Sequence, residues 1–426
     1  MRRFILTTVI ALFVVSVWLY AQEKDTAQGE PKVKLELIEE KDVDLDVQME
    51  IALMQGKSFV IGDKKTVIFF SKNKHIFQEI QMPDHAYPWC DVYSSSNGKF
   101  IGIRYLPYGE FGDNADRFIF FDSLGIKIWE LYRKDDKGIL WLPPSPPYTI
   151  KVNISNDGSR IVVFKDTEHL PYYKATKLYF YDGRDGSLRK VFDLPHPYTW
   201  SAGWTPNSEM FIVTTPGDTP GGISKNDVIY AFDKNGNELW KYIAEGKHFI
   251  PSDPGKPCFV FTDRIIGQSY YEGVIFVDQS GRLLQKFEPI VDKKGGGFIM
   301  SNSLTGNFIV VWEDRVEKRP TYVYLLDGIK GGIIWQWQWE ETQGLPEIVK
   351  CVFSKNDSLI AAFAFGGGKR WVFLFDVKTG FLAKTELPTF TRETTIDIDF
   401  VASDEIIVVA HHPKKYYKIK IKSRED

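Results

Sequence analysis

From residue 33 onward, apolar residues come in short runs rich in Val, Ile, Phe and Tyr, broken by small polar clusters of Gly, Asn, Asp and Ser. Runs of this length and composition predict strands, and no long stretch carries a convincing helical period. One element recurs: an apolar run ending in Asp, a turn containing Gly, then a second run. It reads IFFDSLGIKIW (119–129), YFYDGRDGSLRK (179–190), YAFDKNGNELW (230–240), IFVDQSGRLLQ (275–285), YLLDGIKGGIIW (324–335) and FLFDVKTGFLAK (373–384). The aspartates are 60, 51, 45, 49 and 49 residues apart, and VIFFSKNKHIF (67–77) is a degenerate copy with Ser71 in the Asp place. A second element is strand, tight turn, strand, as in VYSSSNGKFIGIR, VNISNDGSRIVVF and VFSKNDSLIAAFAF. Its turns fall at Gly56, Gly98, Gly158, Ser208, Gly255, Gly306, Asp357 and Asp404. Gly accepts positive φ without steric cost, and Asn or Asp accepts it better than most residues.

Each unit therefore reads strand a, tight turn, strand b, variable loop, strand c, Asp turn, strand d. Four antiparallel strands per roughly 50 residues, repeated, predict a propeller blade. The expected fold is all-β, a single eight-bladed β-propeller, with seven blades as the alternative. The eighth unit supplies only three strands, TIDIDFV, EIIVVAHH and YYKIKIK, whereas VKLELIEE (33–40) has no other strand mate. That segment is expected to become the fourth strand of the last blade and close the ring, removing an open edge.

Three units place Trp four residues after the turn glycine: Gly125/Trp129, Gly236/Trp240 and Gly331/Trp335. A fixed offset points to packing between blades, and the turn aspartates are expected to accept turn amides.

The N-terminus reads as an export signal. Arg2 and Arg3 precede an apolar stretch from Phe4 to Tyr20, and Ala21 supplies a small residue for cleavage. The expected organisation is a signal peptide over 1–21, a flexible polar leader over 22–30 and a propeller domain over 31–426. The expected location is periplasmic or extracellular; an uncleaved anchor at 4–20 is the alternative, and membrane contact is expected only through it. The formal net charge of −3 shows no basic footprint for nucleic acid. Cys90, Cys258 and Cys351 are odd in number and far apart, which favours buried thiols over a disulfide framework.

The elements AFDKNGNELW (231–240) and FDVKTGFLA (375–383) resemble the docking motif of pyrroloquinoline-quinone-type propellers, and the SNDGSRIVVF and SKNDSLIAAF hairpins resemble those of WD-repeat and TolB-type propellers. The resemblance covers nearly all of the chain after the leader. Quinone enzymes of that superfamily carry an adjacent Cys-Cys pair, which this chain lacks. The resemblance therefore implies the cofactor-free, binding side of that superfamily. The expected partner is a protein or a carbohydrate-like ligand, with no metal, and the chain is expected to be a monomer.

Loop lengths point to a face. Three consecutive b–c loops are long: 105–117, 165–177 and 215–227. The d–a connections beside them, DHAYPW (84–89), PPSPPY (143–148) and PHPYTW (195–200), are aromatic and in part carry His. The candidate binding face gathers the aromatics Tyr87, Trp89, Tyr105, Tyr108, Tyr148, Tyr172, Tyr173, Tyr198 and Trp200. With them come His85, His169 and His196 and the carboxylates Glu110, Asp113, Asp166 and Glu168. Aromatics with a few polar groups suit a protein interface or a sugar-like ligand. Nucleophile-elbow, zincin and phosphate-loop patterns are lacking, and no catalytic residue is assigned. A non-enzymatic scaffold is the first reading; a hydrolase or lyase acting on a sugar-like substrate in the funnel is the alternative.

Overall fold

The computed structural model describes residues 33–423, apart from connecting segments between strands (64–65, 82–85, 108–116, 133–148, 167–175, 196–200, 217–225, 246–258, 261–263, 270–272, 288–296, 315–321, 339–346, 389–395 and 412–413) and the single positions 55, 96, 304 and 367. The described strands form eight antiparallel sheets, seven of four strands and one of three. In each four-stranded sheet but one, the strands follow chain order; in the remaining one, β1 (Val33–Asp42) lies beside Lys414–Ser423.

That pairing runs from Val33 opposite Ser423 to Asp42 opposite Lys415, with a bulge near Ile38. Leu35 is buried, and Val33 and Leu37 pack on the same core. On the other side of the strand, Lys422 meets Glu36. The predicted mate for the N-terminal strand is thus the observed one.

Consecutive units pack face to face. One apolar cluster joins the first and second units (Phe59, Phe69 with Ile101, Phe121), another the fifth and sixth (Phe276 with Tyr324), another the seventh and eighth (Leu374 with Ile398). A c strand is therefore covered on both faces. This explains why TVIFF (66–70) is buried throughout and why c strands read as continuous apolar runs rather than alternations.

The first unit departs from expectation. Leu45–Met54 is an α-helix, α1, where a strand a was predicted. Only β2 (Phe59–Asp63), β3 (Thr66–Phe70) and β4 (Ile76–Gln81) form the sheet of that unit. The expectation of four-stranded blades throughout and of no helix is corrected here. Asp44 caps α1, its carboxylate accepting from Val47 N at 2.9 Å. Gly56, expected in a hairpin turn, ends the helix at φ 70°. Gly56 N donates to Leu53 O and Lys57 N to Ala52 O, the paired bonds of a Schellman cap. The helix escaped the periodicity reading because it is apolar on opposite sides. Val47 and Ile51 pack on Ile407, Val409 and Tyr416 of the last sheet, whereas Met49 and Ala52 pack on Val60, Ile68 and Phe70 of the first. A helix covered on both sides has no polar face to mark its period. The helix thus bridges the first and last sheets.

Candidate functional site

Antiparallel order puts the a–b and c–d turns at one end of every sheet and the b–c and d–a connections at the other. Hydrogen bonds between units show that the turn ends share a face. Asn97 Nδ2 donates to Asn156 O at 2.8 Å, Asn156 Nδ2 to Pro206 O at 3.1 Å, and Asp157 N to Ser208 Oγ at 3.1 Å. Farther along, Arg264 Nη2 donates to Gly306 O at 2.7 Å, and Thr305 donates to Asp357.

Within a c–d turn, the Asp carboxylate works as expected. Asp122 Oδ1 accepts from Leu124 N and Ile126 N at 2.9 Å, and Asp233 Oδ1 accepts from Asn235 N and Asn237 N at 2.8 Å. At Asp278, a hydrogen bond from the Ser280 hydroxyl, followed by the Arg282 amide, lowers the pKa to about 2. At Asp233, burial opposes the charge, but donors from Asn237 and Asn235 prevail and lower the pKa. These carboxylates are consumed by their own turns and do not converge on an ion.

The tryptophans have a shared task. Trp129 Nε1 donates to Gly183 O at 2.7 Å, Trp240 Nε1 to Gln279 O at 2.6 Å, and Trp335 Nε1 to Val377 O at 2.9 Å. Each acceptor follows the turn aspartate of the next unit. Elsewhere, Lys190 takes the equivalent place and reaches Asn237. The ring of Trp335 stacks on Phe375, with centroids 5.6 Å apart and an interplanar angle of 17°. Trp335→Phe should keep most of the stacking and cost about 1 kcal/mol for the lost hydrogen bond. Trp335→Ala should cost about 3 kcal/mol. Urea unfolding midpoints measure both, and equal losses would mean that the indole N–H alone does the docking.

Four residues of the expected binding face have a described backbone, and they lie at the opposite end. The structure gives the backbone of Tyr87 and Trp89 within Ala86–Ser94, of Tyr105 within Phe100–Pro107 and of Asp166 at the end of Arg160–Asp166. Tyr105 pairs with Cys90, and Asp166 with Thr149, so these residues sit at the connection end of the second and third units. His85, Tyr108, Glu110, Asp113, Tyr148, Glu168, His169, Tyr172, Tyr173, His196, Tyr198 and Trp200 lie outside the described residues. So does the turn expected at Gly255.

A charged group was missed. Asp397 and Asp399 alternate with Ile396, Ile398 and Phe400 on strand a of the eighth unit, and only the apolar set faces the core. Lys350, from strand a of the seventh unit, reaches Asp397 Oδ1 at 2.5 Å. Burial lowers the Lys57 pKa against the attraction of Asp397, and burial raises that of Asp399. The alternation Ile-Asp-Ile-Asp-Phe was the available signal; the partner lysine, 47 residues away, was not readable. The group fixes adjacent a strands to each other.

Among the described residues, no group of three or more His, Cys, Asp or Glu side chains could hold a metal ion. Cys351 is a buried free thiol whose pKa is pushed up by burial; the side chains of Cys90 and Cys258 are outside the description. No helix among the described residues is long and apolar enough to cross a membrane.

No family model matches the chain, and no curated protein matches it. Solved structures do resemble it. The C-terminal WD40 domain of Sif2 is 13% identical and has a TM-score of 0.53, covering 92% of this chain and 100% of that one. BamB from Moraxella catarrhalis is 13% identical with a TM-score of 0.47, covering 91% of this chain and 99% of that one. The chain has a β-propeller fold.

Proposed function

We propose that this protein is an exported scaffold that binds a protein partner through the connection face of its second to fourth units. In this reading, residues 1–21 direct export and residues 31–426 form one ring of eight blades, closed by β1 and by α1 between the last unit and the first. The supporting observation is the clustering of the long and aromatic connections at one end of three consecutive units. At the turn end, the side chains bond neighbouring units to each other, as Trp129, Asn156 and Trp335 do. At the other end, the strands of the second to fourth units flank the three long b–c connections and the aromatic d–a connections. Insertions into neighbouring repeats on one face are a common way for repeat proteins to build a binding surface.

The double variant Trp89→Ala/Trp200→Ala tests the face. Cross-linked pull-downs from cells expressing the full chain should recover a partner with the native protein and at least about tenfold less of it with the variant, since aromatic anchors dominate such interfaces. An unchanged thermal midpoint would show that the fold is intact. Undiminished recovery would remove this face from consideration. A saturable rise in melting temperature on adding simple sugars, abolished by the same variant, would replace the protein partner with a carbohydrate-like ligand.

A further inference from the structure

Each sheet has one free edge. The a strands of consecutive units bond to each other, as Trp204 Nε1 does to Asn153 O at 3.2 Å and Lys350 to Asp397. Strand d lies at the other side of its sheet, and no described strand follows it. Its outward N–H and C=O groups form a row that another strand can join.

Proteins blunt such edges with charge. Seven of the eight d strands do so, from a single Glu79 in the first unit and Lys286 in the fifth to Arg189, Lys190 and Asp193 in the third. Ile333–Gln338, strand d of the sixth unit, reads IIWQWQ and carries no charge. Ile333 and Ile334 are 52% and 39% exposed, and Gln336 is exposed. Apolar exposure alone does not mark this strand. Ile126 in the second unit is 59% exposed, and Ile329, in the turn before Ile333, is 57%. In the second unit, however, the strand carries Lys127 and Glu130, paired at 3.1 Å. The sixth unit alone combines an apolar edge with no charge.

A six-residue segment rich in Ile and Trp, uncharged and without Pro or Gly, is of the kind that pairs with copies of itself; stacked aromatics and glutamine ladders strengthen such pairing. The bulge at Ile334 lies at the turn end, and Trp335–Gln338 pairs with its neighbour without a break. The alternation of Trp and Gln suits an antiparallel self-pair. With a two-fold axis at Gln336, that residue lies opposite Gln336 of the second copy. Trp335 then lies opposite Trp337 of the second copy, on the face where both rings pack against Phe375. Any other d strand of this protein in that place would set a charged residue against Ile, Trp or Gln.

We propose that Ile333–Gln338 pairs with the same strand of a second copy, making a two-fold dimer in place of the expected monomer. Each chain has one such edge, so the pairing uses up both and closes at two chains. Main-chain hydrogen bonds hold an added strand, and one strand pair is a small interface, so the association is reversible and falls in the micromolar range. Antiparallel pairing turns the connection ends of the two copies in opposite directions. One dimer then offers two separate partner-binding faces; this one point rests on the function proposed above.

Sedimentation velocity tests the dimer on protein purified after expression of the full chain. The mass should double as concentration rises. Gln336→Lys should lower the association constant at least about tenfold, because like charges then meet across the axis. Gln336→Glu should do the same, and mixing the two variants should restore the doubled mass, which a folding defect could not do. Gln336 is exposed, so both variants should keep the native thermal midpoint. The Trp89→Ala/Trp200→Ala variant should dimerise as the native chain does, so this inference and the proposed partner face fail separately. Doubling that persists in either Gln336 variant alone would place the contact elsewhere and overturn the proposal. A native chain that stays monomeric at every concentration would overturn it, as would a variant mixture that stays monomeric. A monomer that instead retains a foreign protein, lost with Gln336→Lys, would give the edge to a different occupant and also overturn it.

Discussion

A chain lacking residues 33–42 should lose cooperative unfolding and aggregate at temperatures where the intact protein is folded. The reason lies in what β1 covers. Val33, Leu35 and Leu37 pack on the core shared by the seventh and eighth units, which includes Leu387, Tyr417 and Ile419. Burying three such side chains is worth on the order of 5 kcal/mol. Whole domains are stable by only about 5–15 kcal/mol, so the loss removes much of the margin. The deletion also strips the partner from Lys414–Ser423, leaving an open edge for strands of other molecules. The ion pairs lost with it, such as Lys422 with Glu36, are exposed and matter little beside the apolar loss. Scanning calorimetry with light scattering measures the outcome. A deletion variant that melts in one transition at the native temperature would show that β1 is dispensable.

The second large effect is expected at the helix. Val47→Asp should destabilise the protein by about 3 kcal/mol or more. Val47 is fully buried against Ile407, Val409 and Tyr416. Two influences compete at this position. It lies in the first turn of α1, where a carboxylate gains up to about 1 kcal/mol from the helix dipole. Burying that carboxylate among apolar side chains costs several times more. The larger influence wins, and the expected sign is destabilising. Asp44 occupies the capping position with its carboxylate at the edge of the helix, so a second acid deeper in the seam adds no cap. Val47→Ala, which leaves a small void without a charge, should cost about 1–2 kcal/mol. Urea denaturation of the two variants separates the effects. Equal midpoints for Asp and Ala would mean that water reaches this seam and that α1 does not seal it.

Local chemistry accounts for what the chain itself disclosed. The Asp-and-Gly turns were legible because a single residue carries each requirement. Asp122 must accept the amides of its own turn, and Gly125 must take φ 75°. The degenerate first copy shows the same logic from the other side, with Ser71 in the Asp place and Lys74 taking φ 61°. The tryptophan offset was legible as a repeated packing position, but its acceptor, a backbone carbonyl of the following unit, was not. The pairing of β1 was inferred by elimination, since one strand lacked a mate and one unit lacked a strand.

Of the candidate binding face, the sequence supplied loop lengths and aromatic content, and the strands Ala86–Ser94, Phe100–Pro107 and Arg160–Asp166 place its supports at the connection end. The helix, the Lys350–Asp397 pair and the exposed tips at Ile126 and Ile329 were not legible. Each depends on what another part of the chain brings alongside.

The sequence by itself determined the unit, its turns and the strand that would lack a mate, because turn geometry and apolar run length are set by neighbours within a few residues. Only the tertiary structure decided that residues 45–54 form a helix. Sheets on both sides of that segment bury opposite faces of it, and contact with both outweighs the strand pattern of the other units.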